Sequence, residues 1–169
     1  MRRVRLHPRE MGKIPRLQVA GTYHLMARSI AEERIFRTDA DYIDFVTLLA
    51  PIAWKCHAFL VMPTHYHLLA SVGNDELAGF MHKLNRRYAS RFNRRNARRG
   101  RVFDGPYKSV SVTSQSHLLW LARYIAQNPQ RPTEWLWSSF TNDYTFVDAT
   151  LLERSFGSRE RMLEFALHS

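Results

Sequence analysis

Residues 56–72 read CHAFLVMPTHYHLLASV, and this stretch decides the fold. Cys56–Val61 and His65–Val72 are apolar runs of strand length, and Met62-Pro63-Thr64 interrupts them, so the stretch predicts an antiparallel hairpin. Proline in place of glycine leaves the turn type open. Upstream, Gly21–Ser29 (GTYHLMARS) reads as a first strand. A helix follows it, with Tyr42, Phe45, Val46 and Leu49 on one face, Asp39 or Asp41 as its cap and Pro51 at its end. Downstream, Asn74 is placed to cap a helix with Asp75 and Glu76 in its first turn and a stripe of Leu77, Phe80, Met81, Leu84 and Tyr88. Gly100 and Asp104-Gly105-Pro106 mark a loop before a short strand, Lys108–Val112. Ser114 then caps a helix through Gln127, which Pro129 brings to a stop. A Trp-rich stretch, Glu134 to Ser139, leads to a short terminal helix over 158–167.

The order β, α, β, β, α, β with one further helix is that of an α+β, ferredoxin-like (split βαβ) domain: an antiparallel sheet with helices on one face, plus a C-terminal helix and tail. The reading divides the chain into a basic arm over 1–20, a main domain over 21–140 and a helical tail over 141–169.

The chain has 169 residues and a formal net charge of +10, with an ordinary apolar fraction, which suits one globular domain whose partner is a polyanion. The single cysteine, Cys56, excludes an internal disulfide and fits a reducing compartment. No run is long enough to span a membrane, and Met1–Arg16 is basic without the apolar core of a signal peptide. The charge is concentrated. Residues 83–108 carry ten basic side chains against one acid, Asp104, and residues 1–16 carry six against one, which leaves the rest of the chain at −4. Lys83, Arg86, Arg87, Arg91, Arg94, Arg95 and Arg98, with Arg2, Arg3 and Arg5 of the arm, are therefore the candidate contacts to a nucleic-acid backbone, and few salt-bridge partners lie within the segment. Tyr88, Phe92, Phe103 and Tyr107 are the aromatics beside them that could stack on unpaired bases.

On a strand, His65 and His67 point to one face and Tyr66 to the other, so two imidazoles converge where a metal could sit. Spacing alone does not separate this from two histidines on a solvated face. On the last long helix, Leu118, Leu121 and Ile125 form the buried stripe, while Trp120, Tyr124 and Asn128 share a neighbouring face. A tyrosine hydroxyl needs a metal or cation nearby to attack a phosphodiester. Periodicity alone would equally make Tyr124 a packed amphipathic-helix residue. Cys56-His57 has zinc-ligand types, but adjacent strand residues face opposite ways. His117, seven residues before Tyr124, and His24 on the first strand acquire no role from sequence.

Val61-Met62-Pro63-Thr64-His65-Tyr66-His67, followed by Arg123-Tyr124-Ile125-Ala126-Gln127-Asn128-Pro129-Gln130-Arg131, resembles the HUH single-tyrosine transposases, and most closely the REP-associated tyrosine transposases. Gly105-Pro106-Tyr107-Lys108 and Glu134–Ser139 also fit, so the resemblance spans about Gly21 to Phe140. It implies that His65, His67 and Asn128 hold a divalent ion, Mg²⁺ or Mn²⁺, and that Tyr124 is the nucleophile of a DNA nicking and rejoining enzyme with a 5′-phosphotyrosine intermediate. It further implies single-stranded or hairpin DNA, typically repetitive palindromes, as partner, a monomer or homodimer, no membrane, and a bacterial cytoplasm beside the nucleoid. A non-catalytic nucleic-acid-binding domain of the same fold is the alternative. The family commonly has a histidine two residues after the tyrosine, where this chain has Ala126.

Overall fold

The computed structural model describes residues 20–51, 55–73 and 77–168. The arm residues Arg2, Arg3 and Arg5 lie outside the described residues, as do Asn74, Asp75 and Glu76. In chain order the elements are β1 (Gly21–Arg28), α1 (Asp39–Leu49), β2 (Lys55–Met62), β3 (His65–Val72), α2 (Leu77–Arg95), β4 (Lys108–Ser111), α3 (Gln115–Ala126), α4 (Thr150–Phe156) and α5 (Arg159–Leu167). Short 3-10 turns lie at Ile30–Glu32 and Pro132–Glu134.

The sheet runs β2-β3-β1-β4 with every pair antiparallel, so the expected α+β architecture is present. Helices α1 and α2 cover one face, where Leu25, Phe59, Val61, Tyr66 and Leu68 meet Phe45, Leu84 and Tyr88. Helix α3 and the tail helices cover the other, where Leu60 and Leu69 meet Leu121, Ile125, Leu152 and Met162. Burial on both faces is why the hairpin strands read as near-continuous apolar runs and not as alternating ones. Residues 141–168 share this second core with α3.

The hairpin turn is two residues, Pro63-Thr64, shorter than the three-residue interruption expected from sequence. Neither residue takes a positive φ, so the turn lacks the left-handed geometry of common two-residue hairpins. Backbone bonds from outside hold it: Ile35 and Phe36 donate to Pro63 O at 2.8 and 3.0 Å, and Ser29 donates to Thr64 O at 2.8 Å.

The Trp-rich stretch closes the sheet's β2 edge. Val61 N donates to Trp137 O at 2.9 Å, Ser139 N to Phe59 O at 3.0 Å, and Trp135 Nε1 to Val61 O at 2.9 Å. An edge strand left with unpaired backbone groups would template pairing with another chain, and this segment satisfies them.

The α1 cap is Thr38, one residue before the sequence expectation, and Asp41 reaches back from the first turn. Its Oδ2 accepts from the N–H groups of Arg37 and Thr38 at 2.9 and 3.0 Å, and its Oδ1 from Arg95 Nε and Nη2 at 3.0 and 2.7 Å. Burial alone would raise the Asp41 pKa, but these donors hold it below the ordinary value. One carboxylate thus caps α1 and ties it to α2. Asp41→Ala is expected to cost about 1–2 kcal/mol, read as a lower urea midpoint, because it removes a cap and one of the two carboxylates that hold Arg95.

Candidate functional site

Period-two alternation on β3 places Tyr66 under α1 and α2 and leaves His65 and His67 facing α3. Tyr66 is fully buried and its hydroxyl donates to Asn85 Oδ1 at 2.6 Å, so it is unavailable to the opposite face. His67 is 1% exposed, and its ring meets that of His65 edge-on with centroids 4.9 Å apart.

His65 Nε2 lies 3.2 Å from Asn128 Oδ1, and His65 Nδ1 lies 3.0 Å from Thr64 Oγ1. The α3 helix ends at Ala126 with Gln127 as its C-cap, and Asn128, the residue before Pro129, is driven out of the helical region. Asn128 is therefore not stacked one helical turn beyond Tyr124; it sits in the following turn with its side chain over His65. Tyr124 remains on the helix, its ring edge-on to His67 at 5.7 Å and stacked on Trp120 at 5.2 Å and 10°. Tyr124 is 40% exposed and Trp120 is 59% exposed, so the stack opens to solvent on the side away from the histidines. All four side chains singled out by sequence, His65, His67, Tyr124 and Asn128, converge within one chain. Ala126 is buried in the α3 core.

Sequence reasoning passed over His24. Its Nε2 lies 2.9 Å from His67 Nδ1, and the rings are nearly coplanar at 18° with centroids 5.1 Å apart, the geometry of an edge-to-edge hydrogen bond. The signal was the strand alternation from His24 to Arg28, but using it requires knowing that β1 pairs with β3, opposing His24 to Leu69 and Met26 to His67. His67 Nε2, by contrast, is buried without a hydrogen-bond partner.

Desolvation lowers the pKa of His67 to about 3, reinforced by His65 and His24, and that of His24 to about 4, reinforced by His117. Desolvation likewise lowers that of His65, against the opposing bond to Asn128. Neutral imidazoles are the form that ligates metals. Among the described residues no group of three or more His, Cys, Asp or Glu is placed to hold a metal, so an ion here would need the Asn128 carbonyl oxygen as well as the histidines. The donor set fits one. His67 Nε2 is an orphaned nitrogen facing the site, His24 occupies its other nitrogen as outer partners of ligating histidines do, and 3.2 Å between His65 Nε2 and Asn128 Oδ1 is close to the roughly 3 Å separating adjacent ligands of an octahedral ion with bonds of about 2.1 Å. His57 has no part in this: its ring bonds Ser71 Oγ and Asp148 O.

The basic segment divides. Arg91 pairs with Asp44, Arg95 with Asp41 and Asp44, and Arg98 with Glu33. The acids that sequence did not find within the segment come from α1 and the turn before it. Among the described residues Lys83, Arg86, Arg87 and Arg94 form no ion pair. The stacking role expected for Tyr88 and Phe92 is overturned, since both are fully buried in the α1–α2 core; Phe103 and Tyr107 pack in the same core but also line the depression between α2 and the 101–107 loop. Packing against that core also places α2 on the face opposite the histidines.

Compared with known proteins, residues 18–128 match a family model described as transposase IS200 like, a span that contains His24, His65, His67, Tyr124 and Asn128. No curated protein matches the chain. Among solved structures, a REP-associated tyrosine transposase bound to a REP hairpin is 11% identical, covers 88% of this chain and 98% of its own, and superposes with a TM-score of 0.59, so the two share a fold. A protein from Deinococcus radiodurans described as a candidate transposase is 19% identical over 69% of this chain and 97% of its own, with a TM-score of 0.47.

The buried histidines give a pH signature in metal-free protein. Unfolding restores their pKa to about 6.5, so the unfolded state binds more protons at acid pH. Stability is expected to be full above pH 6.5 and to fall as pH drops from 6.5 through about 4 to about 3. Urea midpoints across that window check this, and His24→Gln, which removes one titrating ring, is expected to flatten the slope.

Proposed function

The chain belongs to the IS200-like transposase family, and we propose that it cleaves and rejoins single-stranded DNA through Tyr124, with a divalent ion, Mg²⁺ or Mn²⁺, held by His65, His67 and Asn128. The observation that carries this reading is the convergence, on one face of the sheet, of an orphaned histidine nitrogen, a histidine–asparagine pair and a half-exposed tyrosine. The likeness in fold to a transposase bound to a REP hairpin supports repetitive hairpin DNA as the substrate. The catalytic unit on this reading is residues 21–140, with 1–20 as a basic arm.

The bound ion would polarise the scissile phosphate and stabilise charge developing on it. The chain's own residues do the rest. Neutral His67 can present the lone pair of its unpartnered Nε2, His65 would present that of its Nε2 where an ion replaces the proton it donates to Asn128 Oδ1, and His24 fixes the ring of His67. The Trp120 stack and the edge of His67 hold the Tyr124 ring, and its exposed side admits the phosphate. As Tyr124 Oη bonds to phosphorus the P–O3′ bond breaks. The tyrosine loses its proton, the departing 3′ oxygen gains one, and one phosphodiester has been exchanged for a phosphotyrosine ester. A different 3′-OH can reverse the exchange, so rejoining needs no external energy source. One protomer supplies every group.

Incubation of a labelled REP-type hairpin with Mn²⁺ or Mg²⁺ is expected to give a protein–DNA adduct stable to denaturation. Chelation should abolish it and added Mn²⁺ restore it. Tyr124→Phe should form none while retaining hairpin binding, and His67→Ala should lose at least about 100-fold in rate. An adduct undiminished in Tyr124→Phe overturns the assignment; metal-dependent cleavage with no adduct would make the protein a hydrolytic nuclease instead.

A further inference from the structure

Sorting the basic side chains by their partners exposes a trough. Of the arginines with acid partners in the basic segment, Arg91 and Arg95 face α1 and Arg98 reaches Glu33. Lys83, Arg86, Arg87, Arg101 and Lys108, which form no ion pair among the described residues, line three adjoining depressions. The first, of about 430 Å³, lies on the outer face of α2 between Lys83, Arg86 and Arg87. It shares His82 and Arg86 with a second, of about 570 Å³, between α2 and the 101–107 loop. The second shares Pro106 as a wall with a third, of about 340 Å³, bounded by Met26, Arg28, Asp104 and Lys108.

The third depression opens on the face of the sheet that holds the histidines. Met26 lies opposite His67 and Arg28 opposite His65 in the β1–β3 register, and residues directly opposite in antiparallel strands share a face and lie about 5 Å apart. Lys108 lies opposite Met26 on the other side of β1. The trough thus begins beside the candidate site, turns at Gly105-Pro106 and continues onto the α2 side. Gly105 takes φ +83°, a conformation that side-chain-bearing residues rarely adopt, and Pro106 cannot adjust its own φ, so the corner is built in.

The lining selects the occupant. The α2 part has an apolar floor of Met81, Ala89 and Val102 beneath a cationic rim of Arg86 and Arg101. A single strand offers both phosphates for such a rim and unpaired bases for such a floor, whereas a duplex turns only its backbone and grooves outward. Among the described residues Asp104 is the one acid lining the three depressions, and Arg28 pairs there with Glu32 in an exposed pair that contributes little.

We propose that the unpaired strand contiguous with the scissile phosphate leaves the site past Arg28, passes between Lys108 and Pro106, and lies between α2 and the 101–107 loop under Arg101 and Arg86. This rests on the reading of the chain as a single-strand DNA transposase and assigns the route of its substrate. The trough reads length of unpaired flank.

The test uses hairpin oligonucleotides with unpaired flanks of two or ten nucleotides and the non-cleaving Tyr124→Phe protein, with affinity read by fluorescence anisotropy at several salt concentrations. The longer flank is expected to bind more tightly. Arg86→Ala/Arg101→Ala should lower long-flank affinity about 10–100-fold and reduce the salt slope by about two, one per lost phosphate contact, while leaving short-flank affinity unchanged. Lys108→Ala should act in the same direction, and Arg154→Ala on α4 should do nothing. Equal losses on both flanks, or unchanged long-flank affinity, overturn the route. Because binding is read without cleavage, a wild-type protein that forms no adduct but shows the flank dependence would overturn the chemistry and keep the trough.

Discussion

The pairing of β1 with β3 at the centre of the sheet is the constraint on which the rest of the molecule depends. It opposes Arg28 to His65 and Met26 to His67, and it brings His24 within hydrogen-bond distance of His67. A slip of one residue would turn His65 and His67 into the α1–α2 core and Tyr66 out of it. Tyr66 is what makes the slip costly. Its ring fills the core beside Phe45 and its hydroxyl is satisfied by Asn85, so the same alternation that aims the histidines also anchors them. Fold stability and site geometry are therefore enforced by one strand, through opposite faces.

The strongly basic middle of the chain serves two ends that composition cannot tell apart. Arg91 and Arg95 bind α2 to α1 through Asp41 and Asp44, and Arg98 reaches Glu33. Partly buried partners hold these guanidiniums in place, which removes them from the field available to a ligand. What remains without an ion pair among the described residues lies along the outer face of α2 and the loop after it, and curves toward the candidate site. Net charge states only that a polyanion is attractive; ion pairing decides where it is attracted.

The hairpin, the first helix, the basic helix and the capped α3 were all legible because each rests on local signals: period two, period 3.6, and Ser or Pro at the ends. His65, His67, Tyr124 and Asn128 were legible as a constellation only through the family resemblance, since nothing local brings a strand from the middle of the chain against a helix fifty residues later. His24 was illegible for the same reason, because its partner is set by strand order. The aromatics Tyr88 and Phe92 misled because proximity to positive charge in sequence says nothing about which side of a helix faces solvent. Glu134–Ser139 carried no period, and its work of closing the β2 edge is shared between backbone groups that any sequence possesses and the side chains of Trp135 and Ser139.

Pro129 separates the two functions that α3 would otherwise merge. Had the helix continued, Asn128 would project from the Tyr124 face one turn further along, and ligand and tyrosine would compete for the same approach to the sheet. Proline ends the helix at Ala126, and Asn128 swings over His65 while Tyr124 keeps its place against His67. Leu118, Leu121 and Ile125 seat the helix on Leu60 and Leu69, and α4 and α5 pack behind it. Tyr124, next to the buried Ile125 and about 100° round the helix from it, is thereby held at the rim of the core, where half of its ring stays open. A nucleophile needs that position, fixed on one side and accessible on the other, and here the tail helices hold the scaffold that fixes it.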